Sequence, residues 1–388
     1  MALEINAVTE STLQEICAQH WTESQTLDFK QSLPGATDKE RNDFLKDVCA
    51  LANSDGGELV YGVAERDGRA DSINPISGEL ADAAKRRLGQ MADSGIEPRI
   101  VGLQYREIPV TGGYVLIIHV PASFSGPHCY RINDARRFVM RNGTHTTDLS
   151  YDQVRTAFDR TATLSERARH FLHERLAIIG QRRSWMPIDR GPICVLHLIP
   201  IRSVEGRQLV DVHTLYGSYT PFMFSDWGGG SRSTNLDGLV VHPGVPHGQN
   251  TIRYYTQVFR SGAFEAVRNG GSADPERKSI PSTTVSSFIR EAIRKFLKAC
   301  ADLKISGPAI VGAAFLTVGD YQFALPREHF DSNAKPDRDN IVIPETWIES
   351  LDSADAEAIA RSILDVLWQS FGIERCYLYD EKGVWLAK

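Results

Sequence analysis

The sequence predicts an α+β protein built from two domains, residues 1–160 and residues 161–388. The chain has 388 residues, of which 42% are apolar, and this is enough to bury two ordinary cores. Amphipathic helix patterns and short apolar strand patterns are interleaved up to about residue 160, and a second set follows. We therefore expect a mixed α/β domain followed by a second α+β domain.

The first strong helix of the N-terminal domain is predicted in "TDKERNDFLKDVCALANSDGG". Thr37 is a suitable N-cap and Glu40 completes a capping box, while "NSDGG" ends the helix. The next segment, "ELVYGVAE", predicts a buried strand. A second helix is expected at about 78–94, then strands in "PRIVGLQYREIPV", "YVLIIHVPAS" and "RRFVMRNGT". A helix from Tyr151, broken or bent near Thr161, closes the domain.

The second domain begins with an apolar strand, "PICVLHLIPI". Further strands are expected near 207–222, 238–242 and 251–260, and "YYTQVFRSGAFEAV" predicts a strand that enters a turn and a helix. A strongly amphipathic helix follows around 288–300, then strand "AIVGAAFLTV", a helix at 354–371 and a last strand in "CYLYDEKGVWLAK". No constellation of residues here indicates chemistry, so we expect regulation, partner sensing or dimerisation.

Composition excludes several classes of protein. The net charge is −6 with a pI near 6.0, and residues 1–160 hold 17 Lys and Arg against 23 Asp and Glu, so any polyanion site must be local. The six cysteines form no CxxC pair, and no GxxxxGK[ST] phosphate loop is present, so neither structural zinc nor ATP is expected. No signal peptide or membrane span is recognisable, which predicts a cytoplasmic protein without a membrane partner.

The stretch "ESQTLDFK" carries the first candidate chemistry. Read as a strand, it places Leu27 and Phe29 on one face and Asp28 and Lys30 on the other. Carboxylates hold Mg²⁺ or Mn²⁺ through oxygen, and a lysine can neutralise charge on a scissile phosphate. Glu23 lies upstream, and "GVAERDG" adds Glu65 and Asp67, so these side chains would surround one cation if the two strands are neighbours. The alternative is an ordinary edge strand with a surface ion pair.

Four segments in order carry a resemblance to a known family: "ESQTLDFKQSL", "FLKDVCALANSDGGELVYGVAERDG", "YVLIIHVPASFSGPH" and "RRFVMRNGT". Over residues 15–160 they are similar to the Schlafen-like domain, also described as a divergent Alba-related domain. In members that cleave RNA, the resemblance implies a metal site of three acidic residues. These fall here on Glu23, Asp28 and Glu65, with Asp67 as the fallback for the third.

The chain departs from this family in three respects. Asp28 stands where Glu is more usual, which shortens the ligand by one methylene. The cysteine-rich zinc site of animal members has no counterpart. Animal members also carry two such lobes in one chain, whereas this chain has one, so a homodimer would be needed to rebuild the RNA cleft.

Two basic clusters are candidate phosphate contacts. The first is "AKRRLG", with Lys85, Arg86 and Arg87, and the second is "RINDARRFVMRNG", with Arg131, Arg136, Arg137 and Arg141. A basic helix face is also common as a plain solvated surface. The first cluster therefore has a structural alternative.

The resulting functional hypothesis is a metal-dependent endoribonuclease that hydrolyses structured RNA such as tRNA, with DNA as a less favoured substrate. Its role would be antiphage defence or stress response. We expect Glu23→Ala or Asp28→Ala to abolish Mn²⁺-dependent cleavage with little effect on the melting temperature. The alternative hypothesis is a non-catalytic, nucleic-acid-binding transcriptional or regulatory protein that uses its carboxylates only in salt bridges.

Overall fold

The chain folds into two compact units, Met1–Thr163 and Leu164–Lys388. The structure is a computed structural model that describes residues 3, 5–123, 126–132, 135–206, 209–245, 248–272, 275–326 and 334–387. Both units mix helices and strands, which confirms the predicted α+β class. Within the described ranges, none of the helices has the length and apolarity that crossing a bilayer requires.

The N-terminal unit contains three helices and the start of a fourth. They are α1 (Glu10–Ala18), α2 (Asp38–Ala52), α3 (Ala81–Gly95) and α4 (Tyr151–Gly180). Its strands are β1 (Leu27–Lys30), β2 (Gly57–Tyr61), β3 (Val63–Arg66), β4 (Arg69–Ile73), β5 (Ile96–Glu97), β6 (Gln104–Val110), β7 (Gly113–Val120), β8 (Cys129–Ile132), β9 (Ala135–Asn142) and β10 (His145–Asp148).

These strands form two four-stranded sheets, ordered β1-β2-β7-β6 and β10-β9-β8-β5, and a β3–β4 hairpin. Only β1 and β2 run parallel in these sheets. Helix α2 covers one face of the first sheet and α1 the other, each over its own apolar core. The alternation of "LDFK" decides which side chain faces which helix. Leu27 and Phe29 are buried on the α1 side.

Local signals place α2 as the sequence predicts. Thr37 accepts a hydrogen bond from the backbone N–H of Glu40, and the Glu40 carboxylate accepts one from the backbone N–H of Thr37. The predicted apolar face is buried. This helix and its capping box are therefore confirmed. The end of α2 at Ala52 sets the position of the glycine turn, after which β2 begins at Gly57.

Gly57 starts β2 at a point where the backbone leaves no space for a side chain. Its φ is +146°, and a Cβ built there would lie 2.3 Å from the carbonyl oxygen of Thr26. We expect Gly57→Ala to destabilise the N-terminal unit by about 2–3 kcal/mol, since it adds both strain and a backbone clash. Thermal unfolding checks this. Gly78→Ala is the matched control because no atom lies within 4 Å of its Cβ position, and equal melting temperatures for both variants would contradict the argument.

The C-terminal unit contains the end of α4 and three further helices, α5 (Val212–Gly217), α6 (Ser282–Asp302) and α7 (Ala356–Gln369). Its strands are β11 (Ile193–Pro200), β12 (Ser231–Thr234), β13 (Gly238–His242), β14 (Tyr254–Phe259), β15 (Phe264–Asn269), β16 (Ser279–Pro281), β17 (Ala309–Leu316), β18 (Gln322–Ala324), β19 (Ile341–Val342) and β20 (Thr346–Ile348).

One antiparallel sheet organises this unit, in the order β12-β13-β14-β15-β11-β17-β19 with β20 also paired to β17. Helices α6 and α7 pack on one face over a large apolar core. On the other face, Leu172 of α4 lies against Gly312 of β17, where an added Cβ would come within 2.6 Å of it. The predicted amphipathic helix is confirmed as α6.

Several element predictions are wrong. The helix from Tyr151 continues to Gly180 without a break at Thr161. "ELVYGVAE" is split at Gly62, whose φ of +97° ends β2 and starts β3. Residues 212–217 are helical rather than extended, and "YYTQVFRSGAFEAV" is a β14–β15 hairpin. The C-terminal segment holds only an isolated bridge between Tyr379 and Trp385, because it packs on the helices rather than joining the sheet.

Candidate functional site

Glu23 and Asp28 lie side by side, as the family resemblance implies. The backbone N–H of Glu23 donates to the carbonyl of Gly68 at 2.9 Å, and its carboxylate accepts from the backbone N–H of Phe29 at 2.9 Å. Burial, together with the hydrogen bond to the Asp28 carboxyl, raises the pKa of Glu23 to about 7, although the Phe29 N–H opposes the change. Two touching carboxyls thus favour a proton, or another cation, between them.

Asp28 is almost completely buried, with 3% of its surface exposed. Lys30 Nζ lies 2.9 Å from its Oδ2, and Arg141 Nη1 donates to the same oxygen at 3.2 Å. Burial acts to raise the pKa of Asp28. The hydrogen bond with Glu23 and the positive charges of Lys30 and Arg141 outweigh burial and hold this pKa below its usual value. Asp28 therefore stays ionised beside a carboxyl that titrates near neutral pH.

Asp47 completes this group and was missed in the sequence. Its Oδ2 lies 3.5 Å from Lys30 Nζ, so the lysine sits between two carboxylates. Burial acts to lower the pKa of Lys30, but Asp47 and Asp28 together raise it. Asp47 lies three residues after Phe44 and four before Leu51 on α2. A charged residue on that apolar face was the available signal.

Arg141 has an internal role rather than the predicted contact with phosphate. Only 2% of its surface is exposed. Besides Asp28, its guanidinium donates to the carbonyl oxygens of Ser24 and Leu27 at 3.2 and 3.4 Å. The side chain therefore ties β9 to the segment that carries the acids, and it cannot reach a nucleic-acid backbone without leaving the core.

The third predicted metal ligand does not join the pair. Glu65 and its fallback Asp67 are exposed on the β3–β4 hairpin. Glu65 affects Glu23 only through its charge. Across the described part of the chain, no group of three or more His, Cys, Asp or Glu side chains is arranged to hold a metal. The physical reason is the break at Gly62, which separates β3 from the sheet that holds Asp28.

The Glu23–Asp28 pair nevertheless suits a hard cation. Mg²⁺ is commonly held by one or two carboxylates, with water and substrate phosphate as its other ligands. Burial and the Asp28 carboxyl raise the pKa of Glu23, so a cation bound beside Glu23 would favour its ionised form. Metal binding by Glu23 and Asp28 stays a prediction.

The "AKRRLG" cluster is used mainly within the domain. Lys85 pairs with Glu107, and Arg87 donates to Glu79 and to the carbonyl oxygen of Pro34. Arg86 donates to a carbonyl of its own helix. These contacts are what the structural alternative for a basic helix face predicts.

The other cluster keeps its arginines at the surface of β8 and β9. Arg131 and Arg136 share Glu97, and Arg137 pairs with Asp148. The three side chains are 58%, 57% and 49% exposed. Exposed ion pairs contribute only about 0–1 kcal/mol, so a phosphate group can replace these carboxylates at small cost.

Comparison with known proteins identifies the N-terminal unit. The sequence model of the family described as Schlafen, AlbA_2 matches residues 23–150, which begin at Glu23 and end just after β10. No curated protein shows a significant match to the chain.

Two solved structures are similar to part of the chain. The DIP2311 protein from Corynebacterium diphtheriae is 20% identical over 36% of this chain and 26% of its own, with a TM-score of 0.26. The N-terminal domain of a RecG-related protein from Nitrosomonas europaea is 22% identical over 35% of this chain and 88% of its own, also with a TM-score of 0.26. This chain thus spans about a quarter of the first protein.

Proposed function

We propose that the N-terminal unit is an endoribonuclease, since residues 23–150 of this chain form a domain of the Schlafen, AlbA_2 family. It would bind structured RNA such as tRNA and hydrolyse it beside the Glu23–Asp28 pair. The family supports an association with nucleic acid. The observation that carries the finer proposal is geometric: Glu23 and Asp28 form a carboxyl pair, and Asp28 contacts the partly exposed Lys30.

Each residue has a defined task in this proposal. Glu23 and Asp28 would hold Mg²⁺ or Mn²⁺, which when bound supplies positive charge to the phosphate and lowers the pKa of a bound water. Lys30 is 36% exposed while anchored by Asp28 and Asp47, so its ammonium group can meet a phosphate oxygen. Arg141 fixes the orientation of Asp28 from inside the domain.

RNA would reach this site across the exposed arginines of β8 and β9. Arg131, Arg136 and Arg137 meet only weak competition from Glu97 and Asp148, and a polyphosphate backbone offers many phosphates at once. A homodimer, which would supply a second copy of the domain, is part of the proposal.

Glu23→Gln is the sharpest test. Gln preserves the acceptor for Phe29 N–H but cannot ionise, so we expect at least a hundredfold loss of Mn²⁺-dependent cleavage of total tRNA, with wild-type cleavage abolished by chelator. Intact tRNA with wild type, or equal cutting by both proteins, would contradict the nuclease.

Stability provides the control for this variant. A carboxyl whose pKa rises on folding, here from 4.5 to about 7, favours the native state at low pH and loses that contribution as pH rises through about 7. We therefore expect metal-free Glu23→Gln to be more stable than wild type by about 2 kcal/mol at pH 8 and equal to it below pH 4.5. Lost cleavage then cannot be ascribed to unfolding.

The second candidate function is a non-catalytic, nucleic-acid-binding regulator. The observation that favours it is the pairing of Asp28 with both Lys30 and Arg141, which already satisfies that carboxylate. In the same incubation with tRNA and Mn²⁺, shifted but intact RNA supports this function. Cut products that vanish with chelator support the enzyme.

A further inference from the structure

The C-terminal unit contains a wide groove that the proposed function does not use. It lies along α6. Its other walls are formed by residues 224–226, by Arg268 of β15 and by Trp385 near the C-terminus. Its volume is about 920 Å³, which is in the range of small-molecule sites.

The lining of the groove carries more basic than acidic side chains, although the chain as a whole is acidic. Five basic side chains line it, against two acidic ones, Asp226 and Glu291. The basic residues are Arg268, Arg290, Arg294, Lys295 and Lys298. Arg290, Arg294 and Lys298 repeat every four residues, which places them on one face of α6 over a length of about 12 Å. A ligand in the groove therefore meets a row of positive charge.

Two of these arginines are held in fixed positions. Arg290 makes a two-pronged ion pair with Glu357 and lies over the Trp385 ring at 5.0 Å from its centroid. Arg268 pairs with Asp226 and lies over the Tyr254 ring at 5.4 Å. Fixed guanidinium groups lose little side-chain entropy when an anion binds.

Lys295 lies 3.5 Å from Glu291 and is 25% exposed, whereas the other two cations are available at small cost. Arg294 lies 3.8 Å from Glu357 and is 57% exposed, and Lys298 lies 3.1 Å from Asp302 and is 72% exposed. Such exposed pairs are weak. A phosphate that enters the groove can therefore replace Glu357 and Asp302 as the ion-pair partner of Arg294 and Lys298.

The N-terminal end of α6 adds neutral donors to the same groove. Pro281 at the N-cap provides no side-chain hydrogen bond to the first turn, and no acidic residue lies in that turn. Thr283, Thr284 and Ser287 line the groove. Among the described residues, their hydroxyl groups form no side-chain hydrogen bond. Backbone N–H groups at a helix start, hydroxyls and arginines together are the donor set that phosphate prefers.

We propose that this groove binds a small anion carrying two or more phosphate groups, in the form of a nucleotide or an inorganic polyphosphate. One phosphate would lie at the start of α6 among the hydroxyls, and the next would lie between Arg290 and Arg294. Trp385 also lines the groove and offers an aromatic side chain that the base of a nucleotide would contact. This site is independent of the nuclease proposal, since it lies entirely within the C-terminal unit.

Calorimetric titration of the full chain tests the proposal. The probes are inorganic tripolyphosphate, a nucleoside triphosphate and a ten-residue oligothymidylate, at constant ionic strength. We expect tripolyphosphate or the nucleoside triphosphate to bind and raise the melting temperature. Tighter binding of the nucleoside triphosphate assigns a contact to the base, and equal binding assigns the site to phosphate alone.

Charge reversal locates the binding. Arg294→Glu/Lys298→Glu is expected to weaken binding at least tenfold, and Arg294→Ala/Lys298→Ala serves if the reversal lowers the melting temperature. The matched control, Lys278→Glu/Arg338→Glu, changes exposed charges of the same unit outside the groove and should alter affinity less than twofold. Equal affinity in groove and control variants, or binding of the oligonucleotide alone, would overturn the proposal.

Discussion

Asp28→Ala is expected to destabilise the N-terminal unit by about 3–5 kcal/mol, because it leaves the buried Arg141 guanidinium without its counter-ion. Arg141 has 2% of its surface exposed, and Asp28 has 3%. The carbonyl oxygens of Ser24 and Leu27 remain as acceptors, but they carry no charge. The sequence-based expectation that Asp28→Ala hardly changes the melting temperature is therefore replaced by a large decrease.

A double-mutant cycle separates this cause from others. Arg141→Met should also destabilise, while Asp28→Ala/Arg141→Met should recover part of the loss, since the unpaired buried charge is gone. Asp71→Ala is the matched control because its ion pair with Arg66 is exposed and 3.8 Å long. Denaturant unfolding measures all four. A loss below about 1 kcal/mol for Asp28→Ala would show that the buried pair contributes little.

The buried Asp28–Arg141 pair affects how a loss of cleavage in a variant is interpreted. A loss of cleavage in Asp28→Ala would report unfolding as well as chemistry, whereas Glu23→Gln keeps its acceptor for Phe29 N–H and gains stability above neutral pH. The two carboxyls that the sequence treats as equivalent metal ligands thus differ in burial and in charge state. Of the two variants, only Glu23→Gln separates the proposed catalysis from unfolding.

Local sequence was sufficient to predict those elements whose structure depends on residues close together in the chain. The capping box of Thr37 and Glu40, the glycine turn after α2 and the alternation of Leu27, Asp28 and Phe29 all involve neighbours within a few residues. These signals correctly gave α2 and β1. The pairing of Glu23 with Asp28 was implied by the family resemblance and not by these local patterns.

Contacts between distant residues could not be predicted in this way. The partners Asp28 and Arg141 are 113 residues apart, and no local pattern marks an arginine of a strand as buried. Glu65 lies apart from the Glu23–Asp28 pair for a related reason: the backbone at Gly62 turns β3 out of the sheet, and a glycine permits that turn without requiring it. In the C-terminal unit, β15 pairs with β11 as well as with β14. The pairing with β11 joins segments far apart in the sequence, so no local pattern showed it.

A second buried charge cluster, in the C-terminal unit, was also absent from the sequence interpretation. Glu265 of β15 is fully buried and accepts hydrogen bonds from Arg175, His197 and Tyr255 at 2.8–2.9 Å. Burial acts to raise the pKa of Glu265, but the hydrogen bonds from His197 and Arg175 outweigh it and lower this pKa to about 2. The carboxylate is therefore the centre on which α4, β11 and β14 converge.

Glu265→Ala is expected to destabilise the C-terminal unit by about 3–5 kcal/mol at pH 7, since it removes an acceptor of the buried Tyr255 hydroxyl and leaves Arg175 only a 3.9 Å ion pair with Asp237. A carboxyl whose pKa falls on folding, here from 4.5 to about 2, contributes stability above pH 4.5 and loses it as pH falls toward 2. The difference between wild type and variant should narrow over that range.

Denaturant unfolding at several pH values measures this difference, with the exposed Glu374→Ala as the control expected to stay near wild type. A gap between Glu265→Ala and wild type that keeps its full size down to pH 2 would show that the ionised carboxylate is not its source. The loss would then come from the cavity left by the side chain, which does not depend on pH.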